Sequence, residues 1–296
     1  MSWHDNLARA TDEFESIVCM GMDPVIEKIE KALGDNTTGK VDIDIPQFYK
    51  RIITRCVNKG IVPGCVKPNY AFYAQYGFDG LKALQSVIKI AKKERIPVLL
   101  DAKRGDIGKT STAYSKEVFE FWDADAVTIA PYMGSDSVGP FIDWCNKKGK
   151  GVYILARTSN AGAKNLQNLT LQDGRLLYQA TMDNIFEWGK EANSNVGFVA
   201  GATTPEELND IMQKVAQYNP NLPALIPGVG SQGGDETQVT QILAKNKINL
   251  KYQRINSSSG INYAFLKDEE SKDFADAAVK AIEKLNQGIK KGEKNV

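Results

Sequence analysis

Eight short apolar runs rich in β-branched residues, most of them separated by longer segments of helical period, set the plan of this chain. The runs cover residues 16–23, 61–69, 96–103, 124–132, 151–158, 195–200, 224–229 and 252–257. The helical period is clearest at 46–59, 80–94, 110–122, 176–192, 205–218 and 273–289. Thr204-Pro205-Glu206-Glu207 reads as an N-cap, a proline at the first helical position and an acidic first turn. Strands that are apolar on both faces and joined by helices imply a covered parallel sheet. Eight such units close most economically into a barrel of about 250 residues. The expected fold is therefore α/β, a (β/α)8 TIM barrel spanning residues 1–296 as one domain. It carries a short N-terminal helix and insertions at 33–44 and 161–175, and the charged tail at 290–296 reads as a frayed end. The rival is an open doubly wound sheet, but Met22-Asp23-Pro24 stands where a G-x-G-x-x-G turn would follow the first strand.

Composition excludes several classes of function. Lys and Arg number 37 against 36 Asp and Glu, so no global field selects nucleic acid or an anionic membrane, and any anion must be held locally. Cys19, Cys56, Cys65 and Cys145 contain no C-x-x-C, which argues against a zinc site or a disulfide framework and for reduced thiols. His4 is the one histidine and lies near an N-terminus expected to be mobile, so His-based metal ligation and serine-type triads lack their usual partner. There is no leader-like N-terminal pattern and no 18-residue apolar run, which implies a soluble, cytoplasmic protein.

In a barrel of this kind the site forms at the carboxyl ends of the strands. The polar residues there are Asp23, Lys67 with Asn69, and Asp101 with Lys103, and Asp106 lies just beyond. Arg157, Thr158, Ser159 and Asn160 follow the fifth strand. Asp101 and Lys103 are two apart and face one side of a strand, where a carboxylate and an ammonium each offset the other's desolvation. Such a pair is either a solvated ion pair of small energetic consequence or a poised general acid beside a fixed dipole. The preceding apolar run and the other strand-end charges favour the site. The stretch 227–235, Pro-Gly-Val-Gly-Ser-Gln-Gly-Gly-Asp, follows the seventh strand, where glycines let backbone N–H groups converge on an anion.

Taken together, MGMDP at 20–24, VKPNYAFYAQYG at 66–77, LLDAKRGDIGKT at 99–110, ARTSNAGA at 156–163 and IPGVGSQGGD at 226–235 resemble the orotidine 5′-phosphate decarboxylase family, in its longer bacterial form. The most specific segment is D-x-K-x-x-D-I-x-x-T, from Asp101 to Thr110. The resemblance implies loss of CO2 from orotidine 5′-phosphate to give UMP, with no cofactor and no metal. It further implies that Lys103 protonates C6, that Asp101 lies beside the substrate carboxylate, and that Lys67 and Asp106 complete an alternating charge array. By the same resemblance Asp23 and Asn69 meet the ribose, Ser159 the pyrimidine and Pro227 the site wall, while Gln232, Gly233 and Gly234 meet the phosphate and closing loop. A homodimer is implied, in which Asp106, Ile107 and Thr110 enter the neighbouring subunit's site.

One position departs from the pattern. Family members usually carry an arginine after the eighth strand, in a context like S-R-G-I, whereas this chain reads Ser258-Ser259-Gly260-Ile261. A hydroxyl cannot replace a bidentate guanidinium on a phosphate, so weaker substrate capture is expected with Ser259 in the phosphate subsite. Arg254 lies toward the opposite end of that strand and is a poor substitute. Two other readings follow: a metal-dependent 3-keto-L-gulonate 6-phosphate decarboxylase, which shares the barrel and D-x-K-x-x-D, and a non-catalytic nucleotide-binding homologue, suggested only by Ser259.

Overall fold

A computed structural model describes residues 1–230, 233–268, 271 and 273–294. The apolar runs become parallel strands β1 (Val18–Met22), β2 (Cys65–Pro68), β3 (Leu99–Arg104), β4 (Ala126–Ile129), β5 (Gly151–Arg157), β6 (Val196–Ala200), β7 (Ala224–Ile226) and β8 (Arg254–Ser257). Their order is β2-β1-β8-β7-β6-β5-β4-β3, and bridges Val66↔Val98 and Asn69↔Asp101 join the two ends into a nearly closed barrel. The helices are α1 (Trp3–Phe14), α2 (Ile26–Leu33), α3 (Val41–Lys59), α4 (Tyr70–Ala74), α5 (Gly77–Lys93) and α6 (Gly108–Lys116). They continue with α7 (Ser135–Lys148), α8 (Leu177–Gly189), α9 (Pro205–Tyr218), α10 (Glu236–Lys245), α11 (Ser259–Asn262) and α12 (Phe274–Lys294). None of the described helices is long and apolar enough to cross a membrane.

Period two along the strands sorts the side chains by depth and face. Residues such as Val18, Met20, Val66, Leu100, Val127 and Ile154 pack outward under the helices. Cys19, Cys65, Leu99, Ala126, Tyr153, Val199 and Leu225 fill the interior at the amino-terminal end, together with Trp3 and Leu7 of α1. Two residues further along several of the same strands stand Lys67, Asp101, Thr128, Leu155 and Pro227, which line a cavity. The interior thus changes from apolar floor to polar mouth within one strand length.

Helix α1 closes the floor, and the N-terminus is ordered rather than mobile. A Ser2 capping box starts the helix. Trp3 Nε1 donates to Tyr153 Oη at 3.2 Å, and Gly151 leaves the space that the indole fills. His4 stacks on Tyr252 with ring centroids 3.7 Å apart and meets the Asn221 carbonyl through Nε2 at 3.1 Å. Arg254 is wholly buried at this end, with Nη2 donating to the Leu7 carbonyl at 2.7 Å, so it ties the plug down and stays far from the mouth.

Two further expectations are corrected. The polar insertion at 33–44 runs into α3, which begins at Val41, ahead of Pro46. Buried Asp44 clasps the preceding loop, accepting from Thr37 Oγ1 and Thr38 Oγ1 at 2.8 Å and from the Thr38 and Gly39 N–H groups at 2.9 Å. Burial pushes its carboxyl up, but these bonds outweigh that and leave it below the ordinary range. The C-terminal tail is not frayed through 290–294: α12 continues to Lys294, with Ile289 and Gly292 buried and Gly292 packed on Thr237 and Thr240. Replacing Trp3 by Ala should cost about 3–5 kcal/mol of unfolding free energy in urea; a loss below about 1 kcal/mol would show that α1 is not part of the core.

Candidate active site

The strand ends surround a cavity of about 580 Å3. Its charged centre is Asp101, whose side chain is only 8% exposed. Lys67 Nζ donates to Asp101 Oδ2 at 2.8 Å, while Lys103 Nζ at 2.6 Å and Thr128 Oγ1 at 2.8 Å both donate to Oδ1. Burial pushes the Asp101 carboxyl up, yet the charges of Lys67 and Lys103 and their hydrogen bonds overcome this and hold it well below the carboxylate range. Burial likewise works against the Lys67 ammonium, and Asp101, with smaller contributions from Asp23 and Cys19, holds it protonated well above the usual lysine range.

Lys103 reaches Asp101 by a route that plain alternation does not supply. The β3–β4 register shifts between Leu100 and Arg104, and Lys103 sits in the left-handed region at φ 46°. A bulge of this kind bends a strand and re-aims a side chain at some cost in backbone strain. The Lys103 N–H donates to Thr128 Oγ1 at 3.1 Å, so Thr128 fixes both the bulge and the carboxylate. The Lys103 side chain keeps 48% exposure against 5% for Lys67, so of the two ammonium groups on Asp101 it is the more accessible from the cavity that both line.

Asp23, Asn69, Ser159, Pro227 and Ser259 also line this cavity. Asp23 Oδ1 is buried without a hydrogen-bond partner among the described residues, and a polar ligand group would satisfy it. Asn69 caps α4 by accepting the Ala71 N–H at 3.3 Å. Ser159 is held through its carbonyl by Thr203 Oγ1 at 2.9 Å, and Gly201 allows the close backbone approach.

Other expected site residues are not brought in. Asp106, Ile107 and Thr110 stand outside this cavity; Asp106 accepts the Ile107 N–H at 2.7 Å, and Ile107 is 55% exposed. Arg157 turns away into a buried ion pair with Glu207 at 2.6 Å. Gly233 and Gly234 do not line the cavity, and Gln232 lies outside the described residues. The N–H groups of Gly230, Gly233 and Gly234 bond to Gly234, Gly230 and Gly228 carbonyls, so they are spent on the loop itself instead of converging on an anion. Thr128 escaped the sequence reading although period two from Ala126 marks it, and Lys28, Asn256, Ser258 and Tyr263 escaped it as well.

Comparison with known proteins gives one consistent result. Residues 18–274 match the model of the orotidine 5′-phosphate decarboxylase / HUMPS family. An orotidine 5′-phosphate decarboxylase from Natronomonas pharaonis is 36% identical over 98% of this chain and 99% of its own. The structure of Leishmania donovani OMP decarboxylase superposes with a TM-score of 0.73 at 31% identity, covering 98% and 99% of the two chains. Leishmania donovani UMP synthase gives a TM-score of 0.76 at 32% identity over 98% of this chain, which spans 57% of that longer protein.

Asp101 is ionised more easily in the folded state than in the unfolded one. Its contribution to stability is therefore complete above the unfolded carboxylate value of about 3.9 and is lost as pH falls toward the depressed folded value. Urea unfolding from about pH 5 to pH 2 should show a smaller loss of stability in Asp101→Asn than in the parent; equal slopes would mean that the lysines do not hold this carboxylate ionised.

Proposed function

The chain belongs to the orotidine 5′-phosphate decarboxylase / HUMPS family, and on that premise we propose that it releases CO2 from orotidine 5′-phosphate to leave UMP, with Lys103 protonating C6. The observation that carries this reading is the ammonium of Lys103, fixed 2.6 Å from a carboxylate that Lys67 and Thr128 prevent from moving. When the C6 carboxyl departs as CO2, the bonding pair stays on C6 as a strongly basic carbanion. A preorganised cation beside it lowers the energy of that charge and then transfers a proton, which solvent restores to the lysine. Asp101 sits where the substrate carboxylate approaches and disfavours it until it leaves as neutral CO2. No step calls for a cofactor. Asp23 and Asn69 face the ribose in this reading, and Ser159 and Pro227 the ring.

The second enzyme reading, a metal-dependent sugar-phosphate decarboxylase, is not favoured. Both Asp101 oxygens are already taken by lysines and a threonine, which leaves this carboxylate poorly disposed to ligate a cation. For assembly, the reading is a homodimer in which Asp106, Ile107 and Thr110 complete the neighbour's site. It is supported by the exposed Ile107, Tyr132 and Met133, the last within 3.6 Å of the space beside Gly105, and by Asp106, which the chain's own cavity does not use. Residence in the cytoplasm fits the four free cysteines.

Purified protein should convert orotidine 5′-phosphate to UMP at a rate unaffected by EDTA, and Lys103→Ala should lower kcat by at least about 10²–10⁴-fold. An absence of turnover at saturating substrate would sink the reading, and an EDTA-sensitive rate would favour the metal-dependent one. Ser259→Arg should raise kcat/KM by about tenfold or more, mainly through KM, by adding a charge-assisted phosphate contact; an unchanged kcat/KM would place position 259 outside the phosphate subsite.

A further inference from the structure

We propose that Lys28 supplies the cation that grips the substrate phosphate in this chain, a role that rests on the decarboxylase reading above. Three cations line the cavity: Lys28, Lys67 and Lys103. Two of them are committed to Asp101. Lys28 is in no ion pair among the described residues; its ammonium lies 4.8 Å from the centroid of the Tyr263 ring. Half-buried on α2, it is the remaining lining cation able to meet a second anionic group.

Its position separates the two ends of a bound nucleotide. The reacting cluster hangs from β2, β3 and β4, through Lys67, Asp101, Lys103 and Thr128. Lys28 enters from the helix after β1 and shares the cavity lining with the Pro227–Val229 turn after β7 and with Ser258 and Ser259 after β8, and β1, β8 and β7 are successive neighbours in the barrel. Tyr263 connects these parts: its N–H donates to the Ser259 carbonyl at 3.1 Å, and its hydroxyl donates to the Asp23 carbonyl at 2.9 Å and accepts the Val25 N–H at 2.8 Å. The ring is thereby fixed as a platform one helical turn from Ser259.

A cation held over an aromatic face keeps its remaining N–H donors for an anion. The four-carbon stem lets the ammonium move toward a phosphate without backbone change. A dianion docked between Lys28 and the β7–β8 turns would have the only charge partner that this wall offers among the described lining residues, because Ser258 and Ser259 are neutral and the N–H groups of Gly230, Gly233 and Gly234 are used internally.

The test is calorimetric titration of the full chain and its Lys28→Met variant with UMP and with uridine, which lacks the phosphate. Lys28→Met should weaken UMP by about tenfold or more, the size expected for loss of a charged hydrogen bond, and leave uridine unchanged. Equal weakening of both ligands would mean that Lys28 only shapes the cavity, and no change in either would remove it from the site; both outcomes overturn the proposal. Turnover of orotidine 5′-phosphate by the parent protein is measured alongside. Its absence would defeat the decarboxylase reading, whereas turnover with an unaltered UMP-to-uridine ratio in the variant would defeat the Lys28 assignment alone.

Discussion

Two ammonium groups converge on one carboxylate inside the barrel mouth, and much of the surrounding structure follows from making that tolerable. A buried charge costs several kcal/mol unless it is paired and hydrogen-bonded. Asp101 is satisfied from three directions, by Lys67, Lys103 and Thr128, and each comes from a different place: β2, the bulge at the end of β3, and β4. Neighbouring strands must therefore hold their register closely. The Asn69↔Asp101 bridge that helps close the barrel is also what brings β2 to the carboxylate. Barrel closure and site assembly are one constraint.

That constraint explains the gradient inside the barrel. Along β8 and one residue past its end, Arg254, Asn256 and Ser258 stand at three depths and do three jobs. Arg254 anchors the α1 plug through the Leu7 carbonyl, Asn256 Nδ2 donates to the Cys19 carbonyl at 3.0 Å, and Ser258 lines the mouth against Gly21, where any Cβ would overlap its hydroxyl. Cys65 and Lys67 on β2, with Asn69 just past its end, repeat the progression. Apolar packing at the floor holds the strands rigid, and rigidity is what lets the charges above it remain in contact without collapsing or drifting apart.

The strands were legible because doubly covered parallel strands leave continuous apolar runs, and much of the charged cluster was legible because period two places Lys67 and Asp101 on inward positions; Lys103 joins them through a bulge that alternation does not supply. What the sequence hid has particular causes. Gly139-Pro140 inside α7 masks a helix that nevertheless forms: Pro140, its sixth residue, forgoes the bond an N–H there would give to the Asp136 carbonyl, and burial of Val138, Phe141 and Cys145 offsets that loss. Pro46 suggests a helix start, yet α3 begins at Val41 with Asp44 clasping the loop five to seven residues before it, a polar contact that neither hydrophobic periodicity nor the proline announces. The glycines of 228–234 announce a special turn but not whether their N–H groups face outward or, as found for Gly230, Gly233 and Gly234, bond within the loop. Lys28 could not be told from Lys31 on the same short helix, because only the fold shows which of them meets the cavity.

Division of charge between two walls bears on how such a site changes. In the proposed decarboxylation the reacting end admits little freedom, since a proton must reach one carbon, and the position of Lys103 is set by a bulge, a threonine and a shared carboxylate. A phosphate makes a weaker geometric demand. It presents oxygens in several directions, and a cation from any strand end bordering it can neutralise it. With Ser259 after β8, the counter-charge can come from the helix after β1, because β1 and β8 are hydrogen-bonded neighbours and Tyr263 spans the gap between them. On the proposed assignment, the gripping residue moves from one strand end to the next while the cluster proposed to face the reacting carbon stays where the buried ion pair holds it.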